Sequence, residues 1–478
     1  MAITNKNYPV LDRKEWQMMT PAPTSTVAGS FVIAPDSGNF DDALYVVSST
    51  GHYLYSHAED GWMQIPSGAL AGTFGAGACG VRHPWSITYT ANGGSTTTVT
   101  VAAATHNITG ECVGQTIEFV SAGTASGFRS TVTKILNNAG TGTITITFAD
   151  IAPTAILNTH TFRMTTGRYY VMNAGTTAAG IFKVFDVGTR AWQSNLGTTN
   201  LPASWGTDGK LVTAYNFGEV FASGTATAGA TATLTNSAKT WATDQWINYQ
   251  IRITGGTGVG QVRTISTNSG TVITVSSNWT TPPDATSTYA IEANEDYLYL
   301  LGNNAVTMYR YSISGNTWTV MAPTVARGAA PVAGMTANAV GVTGDTVWGN
   351  ESAILDGRYI YSFRGGSATL DRFDIAGGTA GAGAWAAVTY IGTETFNTGS
   401  SGFVMGEWIY LKKDATHRFF KYSVVKNLIK AFNTNTYTDG TALLGAKLWV
   451  KNYDSAKTVQ WVYSLQNTGT AMHRVMII

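Results

Sequence analysis

One pattern recurs along this chain and limits its fold more than any other feature. An alternating apolar strand is followed by a turn with Gly or Asn, a second aromatic-rich strand, a polar turn and a Trp. The clearest copy starts at Asp296, runs through Tyr297-Leu298-Tyr299-Leu300-Leu301 and Met308-Tyr309-Arg310-Tyr311, and reaches Trp318. Other copies lead from Ala43 to Trp62, from Gly167 to Trp192 and from Gly357 to Trp385. A fifth starts at Trp408 and has Ile429 where the Trp would stand. The side-chain period is two, which belongs to strands and not to helices. Recurrence of one such unit indicates supersecondary pieces that bury their faces against one another.

These copies resemble the kelch repeat of β-propellers, whose four-stranded blades carry a Gly doublet, a spaced Tyr and a Trp. Gly365-Gly366 is the one full doublet. The resemblance implies an all-β, kelch-like β-propeller of about six blades. Such a ring must close or expose strand edges. The segment Glu15-Trp16-Gln17-Met18-Met19-Thr20-Pro21 parallels Thr317-Trp318-Thr319-Val320-Met321-Ala322-Pro323. The N-terminal strand is therefore expected to close the last blade, beside strands around 445–450, 459–465 and 473–478. The first blade's turn signals fall at about Phe31–Trp62.

Two segments break this rhythm and resemble each other. Thr116-Ile117-Glu118-Phe119-Val120 matches Gln250-Ile251-Arg252-Ile253-Thr254, and Arg129 then falls at the same offset as Arg263. The segments end on Thr161-Phe162-Arg163-Met164 and Thr288-Tyr289-Ala290-Ile291. The expected division is propeller at 1–87, β-module at 88–164, propeller at 165–221, β-module at 222–293 and propeller at 294–478. Both modules are expected to leave their blades between the first and second strands, where a surface loop tolerates insertion. The second, with Gly255-Gly256-Thr257-Gly258-Val259-Gly260 and Pro283-Asp284-Ala285-Thr286-Ser287-Thr288-Tyr289, is similar to small β-modules of tailed-bacteriophage structural proteins.

Composition narrows the function classes. The net charge is +1, so no global field draws in nucleic acid. No apolar run approaches the roughly 20 residues of a membrane span, and the first residues lack a signal-peptide core. Cys79 and Cys112 are too few for a disulfide framework and form no CxxC pair, so they read as small buried hydrophobes.

The motifs that carry chemistry are weak. The Gly255–Gly260 run continues into a strand, whereas a phosphate-binding loop needs a helix after it. Ser312–Trp318 is near the Asp-box turn of sialidase-like propellers, but Ser314 stands in place of the Asp. The acidic groups Asp41-Asp42, Glu59-Asp60 and Glu292/Glu295-Asp296 fall at turns and strand starts and read as solvated. His52, His57, His83, His106, His160, His417 and His473 form no paired ligand motif. The matched Arg129 and Arg263 read either as partner contacts or as solvated strand residues stacked on an aromatic neighbour. We expect no catalytic, cofactor-binding or metal-binding residue.

The resemblance implies a non-enzymatic structural protein of a tailed-phage virion, in the tail, at the neck or nozzle, or on the capsid surface. It would be made in the host cytoplasm and would bind other virion proteins and copies of itself. A receptor- or glycan-binding propeller is the alternative, and an enzyme the third.

Overall fold

In a computed structural model, the structure describes residues 17–23, 31–33, 43–48, 51–56, 59–65, 78–172, 182–193, 196–201, 203, 205, 210–213, 220–302, 307–322, 338–340, 358–364, 366–396, 401–405, 408–413, 419–424, 426–432, 447–452, 460–465 and 470–477. Among these the chain is all-β, with three short 3-10 turns and no α-helix. Trp16, Asp41, Asp42, His57, Gly365 and His417, all used above, lie outside the described residues.

Six four-stranded antiparallel sheets form the base. The first runs Phe31–Ile33, Ala43–Ser48, Gly51–Ser56, Gly61–Gln64. The next two start at Cys79–His83 and Lys210–Val212, the fourth at Asn338–Val340 and the fifth at Ser401–Met405. The last joins Lys447–Asn452, Gln460–Leu465 and Met472–Ile477 to the N-terminal strand Gln17–Met19, with Met18 opposite His473. The leading strand of each sheet touches that of the next, and the last touches the first, so the contacts form a closed cycle. Sheets placed side by side around one centre are a β-propeller.

Aromatic residues fill the space between sheets. Phe182, Tyr311 and Trp318 meet across the second and third sheets, with ring centroids 4.8 Å and 5.3 Å apart. Between the first and second sheets His52 lies edge-on to Phe185 at 4.7 Å and bonds the Tyr169 hydroxyl. Burial lowers its pKa to about 3, so it is a neutral packing residue. Cys79 and Cys112 are both free and buried.

A recurrent turn ties three of the sheets to their predecessors. Tyr55 donates to Asp60, Tyr311 to Asn316 and Tyr422 to Asn427, each five residues on, at 2.5, 2.7 and 2.9 Å. All three acceptors have positive φ, between 46° and 50°, a conformation that Asn and Asp tolerate better than other side chains. Each then reaches the outer part of the preceding sheet. Asp60 accepts from Thr20 N–H, Asn316 accepts from Gly197 N–H, and Asn427 donates to the Thr389 carbonyl.

The chain leaves the second sheet after Cys79–His83 and returns at Arg168–Met172; it leaves the third after Lys210–Val212 and returns at Tyr297–Leu301. Each excursion is a seven-stranded sheet with the same strand order. In both, one strand, Arg129–Asn138 or Val262–Asn268, pairs with one neighbour over its first three residues and with another beyond them, and its register against the second shifts close to that changeover. Such a bulge bends the sheet around its own core, which holds Val99, Ile117, Phe119 and Ile146 in the first copy and Leu234, Ile251, Ile253 and Ile273 in the second.

Candidate functional site

The two seven-stranded sheets meet through equivalent residues. Ile117 pairs with Met164 and Ile251 with Ile291, which aligns Glu118 with Arg252. Gly127 N–H donates to the Phe119 carbonyl at 2.6 Å, and Gly260 N–H to the Ile253 carbonyl at 2.8 Å, which aligns the two glycines. Both pairs touch. Arg252 Nη1 lies 3.2 Å from Glu118 Oε1. A Cβ on Gly127 would run into Gly260, and one on Gly260 into the Ser126 carbonyl. Both glycines have positive φ, 79° and 85°, so glycine here serves both the turn and the close approach.

The same register corrects the pairing of Arg129 with Arg263. Arg129 lies opposite Glu118, whereas Arg263 lies opposite Ile251 and Val262 opposite Arg252. The hairpin turn of the second copy is one residue shorter, so an equal sequence offset does not give an equal place. Arg129 binds Glu118 at 3.0 Å and stacks over Trp85. Arg263 donates to the carbonyls of Asn278 and Val262 and to Thr280 Oγ1, and stacks over Trp279.

Around Glu118 the charges form a buried chain. Glu118 takes Arg129, Arg163 and Arg252, and its side chain is 5% exposed. Arg163 also binds Glu295 at 2.7 Å and lies 4.4 Å above the Trp85 ring. Arg252 also binds Glu292, whose other oxygen contact is Gln250. Burial pushes the Glu118 carboxyl up, and the three guanidiniums more than offset this, leaving it below its usual range. Glu292 and Glu295 are thus not the solvated carboxylates their positions at strand starts suggested. Asp296 supplies the carboxylate that Ser314 cannot: it accepts from Ser314 N–H at 2.6 Å and from the Ser312 and Ser314 hydroxyls.

Each seven-stranded sheet is also fixed to the base. Asp186, fully buried, accepts from Ile87 N–H, the Tyr89 hydroxyl and Thr189. Asn248 donates to the carbonyls of Ile375 and Gly381 in the fourth sheet and accepts from Arg310 in the third.

Between the paired sheets and the second and third propeller sheets lies a cleft of about 1310 Å³. Its walls are Val120 and Ser121 on one side and Val259 and Gln261 on the other, and Arg168, Tyr170 and Tyr311 reach it from the base. Four guanidiniums and three carboxylates line it. Among the described residues, no three His, Cys, Asp or Glu side chains are grouped as a metal site would need. Nothing in the sequence singled out this cleft, because its charged residues come from segments far apart in the chain; the paired Glu118 and Arg252 alone are 134 positions apart.

No protein family and no curated protein matches this sequence. Among solved structures, the chain aligns over its whole length with 99% of a chain from the mitotic checkpoint complex, at 7% identity and a TM-score of 0.36. It aligns over 91% with 95% of a functionally unknown protein from Desulfotomaculum acetoxidans DSM 771, at 9% identity and a TM-score of 0.31. The β-propeller domain of Cps50 (Swd1) from Myceliophteria thermophila matches 96% of the chain over 99% of its own, at 7% identity and a TM-score of 0.32.

Proposed function

We propose that the chain is a six-bladed, kelch-like propeller with two inserted β-modules, and that it serves as a rigid, non-enzymatic scaffold in a tailed-phage particle. Closure of the six sheets by the N-terminal strand supports the blade count. The recurrent Tyr, Asx turn and Trp support the kelch type. One observation carries the scaffold reading: the modules are locked to each other by buried ion pairs and to the base by buried hydrogen bonds. A joint of that kind holds a fixed angle, as a part that positions neighbouring subunits requires, and leaves little room for the hinge motion expected of a lid. The phage assignment itself rests on the resemblance of the second module to virion β-modules. Partners would be other virion proteins and further copies of this chain, with symmetric assembly as the expected mode.

Light scattering of the purified chain, with cosedimentation against disrupted tailed-phage particles, tests this. A closed ring of defined mass, or cosedimentation, is the expected result. A monomer that ignores the particles would sink the scaffold reading and favour a receptor- or glycan-binding role, for which the cleft is the supporting observation.

A further inference from the structure

We propose that the cleft between the paired sheets binds an acidic ligand whose oxyanion, a carboxylate or a phosphate, docks on Arg168 beside the Tyr170 hydroxyl. The inference does not depend on the scaffold reading.

Burying a guanidinium without a counter-charge is unfavourable, and the other well-buried arginines of this region respect that rule. Arg252 has Glu118 and Glu292, Arg163 has Glu118 and Glu295, and Arg358 has Asp374. Arg168 is 7% exposed, and no carboxylate of the described residues lies within 4.0 Å of it. It donates Nη1 to the Ser86 carbonyl at 2.9 Å and stacks over the Tyr170 ring. Its Nε has no acceptor.

Each neighbouring carboxylate directs its oxygens elsewhere. Asp186 lies directly opposite on the adjacent strand, but its oxygens are taken by Ile87, Tyr89 and Thr189. His83, opposite on the other flank, is kept neutral by burial and by the charge of Arg168 itself. Asp296, the remaining carboxylate of the cleft, is held by Ser312 and Ser314. Glu118 and Glu295 are spent on the other arginines. The cleft thus holds a guanidinium that no carboxylate of the described residues contacts, beside a tyrosine whose hydroxyl makes no hydrogen bond to the described residues. A guanidinium fork is matched to a carboxylate or phosphate, and a hydroxyl can add a third donor. The volume exceeds that of a lone ion and suits a sugar-sized or larger organic acid.

Calorimetric titration of the full chain with sodium D-glucuronate and with inorganic phosphate, at constant ionic strength and with D-glucose as the neutral control, tests this. At least one acid is expected to bind, with glucose about tenfold weaker or worse. Tyr170→Phe should weaken binding by roughly threefold to tenfold, and Arg168→Met by about tenfold to a hundredfold. Tighter binding of glucuronate would identify a carboxylate ligand, and tighter binding of phosphate a phosphorylated one. Absence of binding by both acids, equal binding of glucose, or an affinity unchanged in Tyr170→Phe would overturn the proposal. A melting curve accompanies each variant. If Arg168→Met does not fold, Tyr170→Phe, which keeps the ring and its packing, decides alone.

Discussion

At the residue scale, Glu118 holds the most consequential position. Removing one partner of a buried ion pair leaves the other charge unsatisfied, so Glu118→Gln should lower stability by about 3–5 kcal/mol, read by denaturant unfolding. Its folded-state pKa lies below the ordinary value of 4.5. A carboxylate of that kind contributes stability that is fully present above the unfolded pKa and is lost as pH falls through the folded one. The wild-type melting temperature should therefore fall as pH drops below about 4.5, with a shallower fall in Glu118→Gln. An equal slope in both would exclude Glu118 as the source. Gly260 is the second sensitive position. Gly260→Ala adds left-handed strain of about 1–2 kcal/mol and a backbone collision with Ser126. It should therefore destabilise more than an alanine at Gly142, which also has positive φ but an open surrounding.

At the scale of the element, the turn after the third strand is the unit that repeats. Asn316 accepts from both Tyr311 and Gly197, so Asn316→Gly should cost about 1–2 kcal/mol for the lost bonds. Asn316→Ala should cost more, because alanine also resists the positive φ. Thermal melts of the two variants compare these terms, and equal losses would show that backbone conformation contributes nothing there. Much at this scale was legible in the sequence. Strand period, the Trp at the end of four of the five copies and the likeness of Gln17–Met19 to Thr319–Met321 are local patterns, and each left a trace in residue order. The Tyr-to-Asx spacing was present too, but hidden: Phe185 and Arg190 take those places in one sheet, and Phe373 and Gly378 in another. The ion chain left no trace, because Glu118, Arg163, Arg252 and Glu295 share no local motif and meet only after folding. Arg129 and Arg263 show the opposite failure, a true sequence coincidence undone by a turn one residue shorter.

At the scale of the whole molecule, the ring is closed by a short strand from the far end of the chain. Deleting residues 1–20 would strip Met472–Ile477 of its outer partner and make this longer strand the edge of the sheet. The truncated chain is expected to melt earlier and to associate, visible as a higher mass in size-exclusion chromatography with light scattering. A monomer of unchanged stability would show that closure contributes little. The meeting of the two seven-stranded sheets has a further consequence. A duplicated segment that faces its own copy begins with like against like, and at the place of Glu118 and Arg252 that means two identical charges in contact. The opposite signs of Glu118 and Arg252 avoid that clash. The opposition also makes the pairing selective, since two first copies from separate molecules would set glutamate against glutamate, and two second copies arginine against arginine. The charges thus select a first copy for a second, and the covalent connection, which holds the two side by side, favours the chain's own pair.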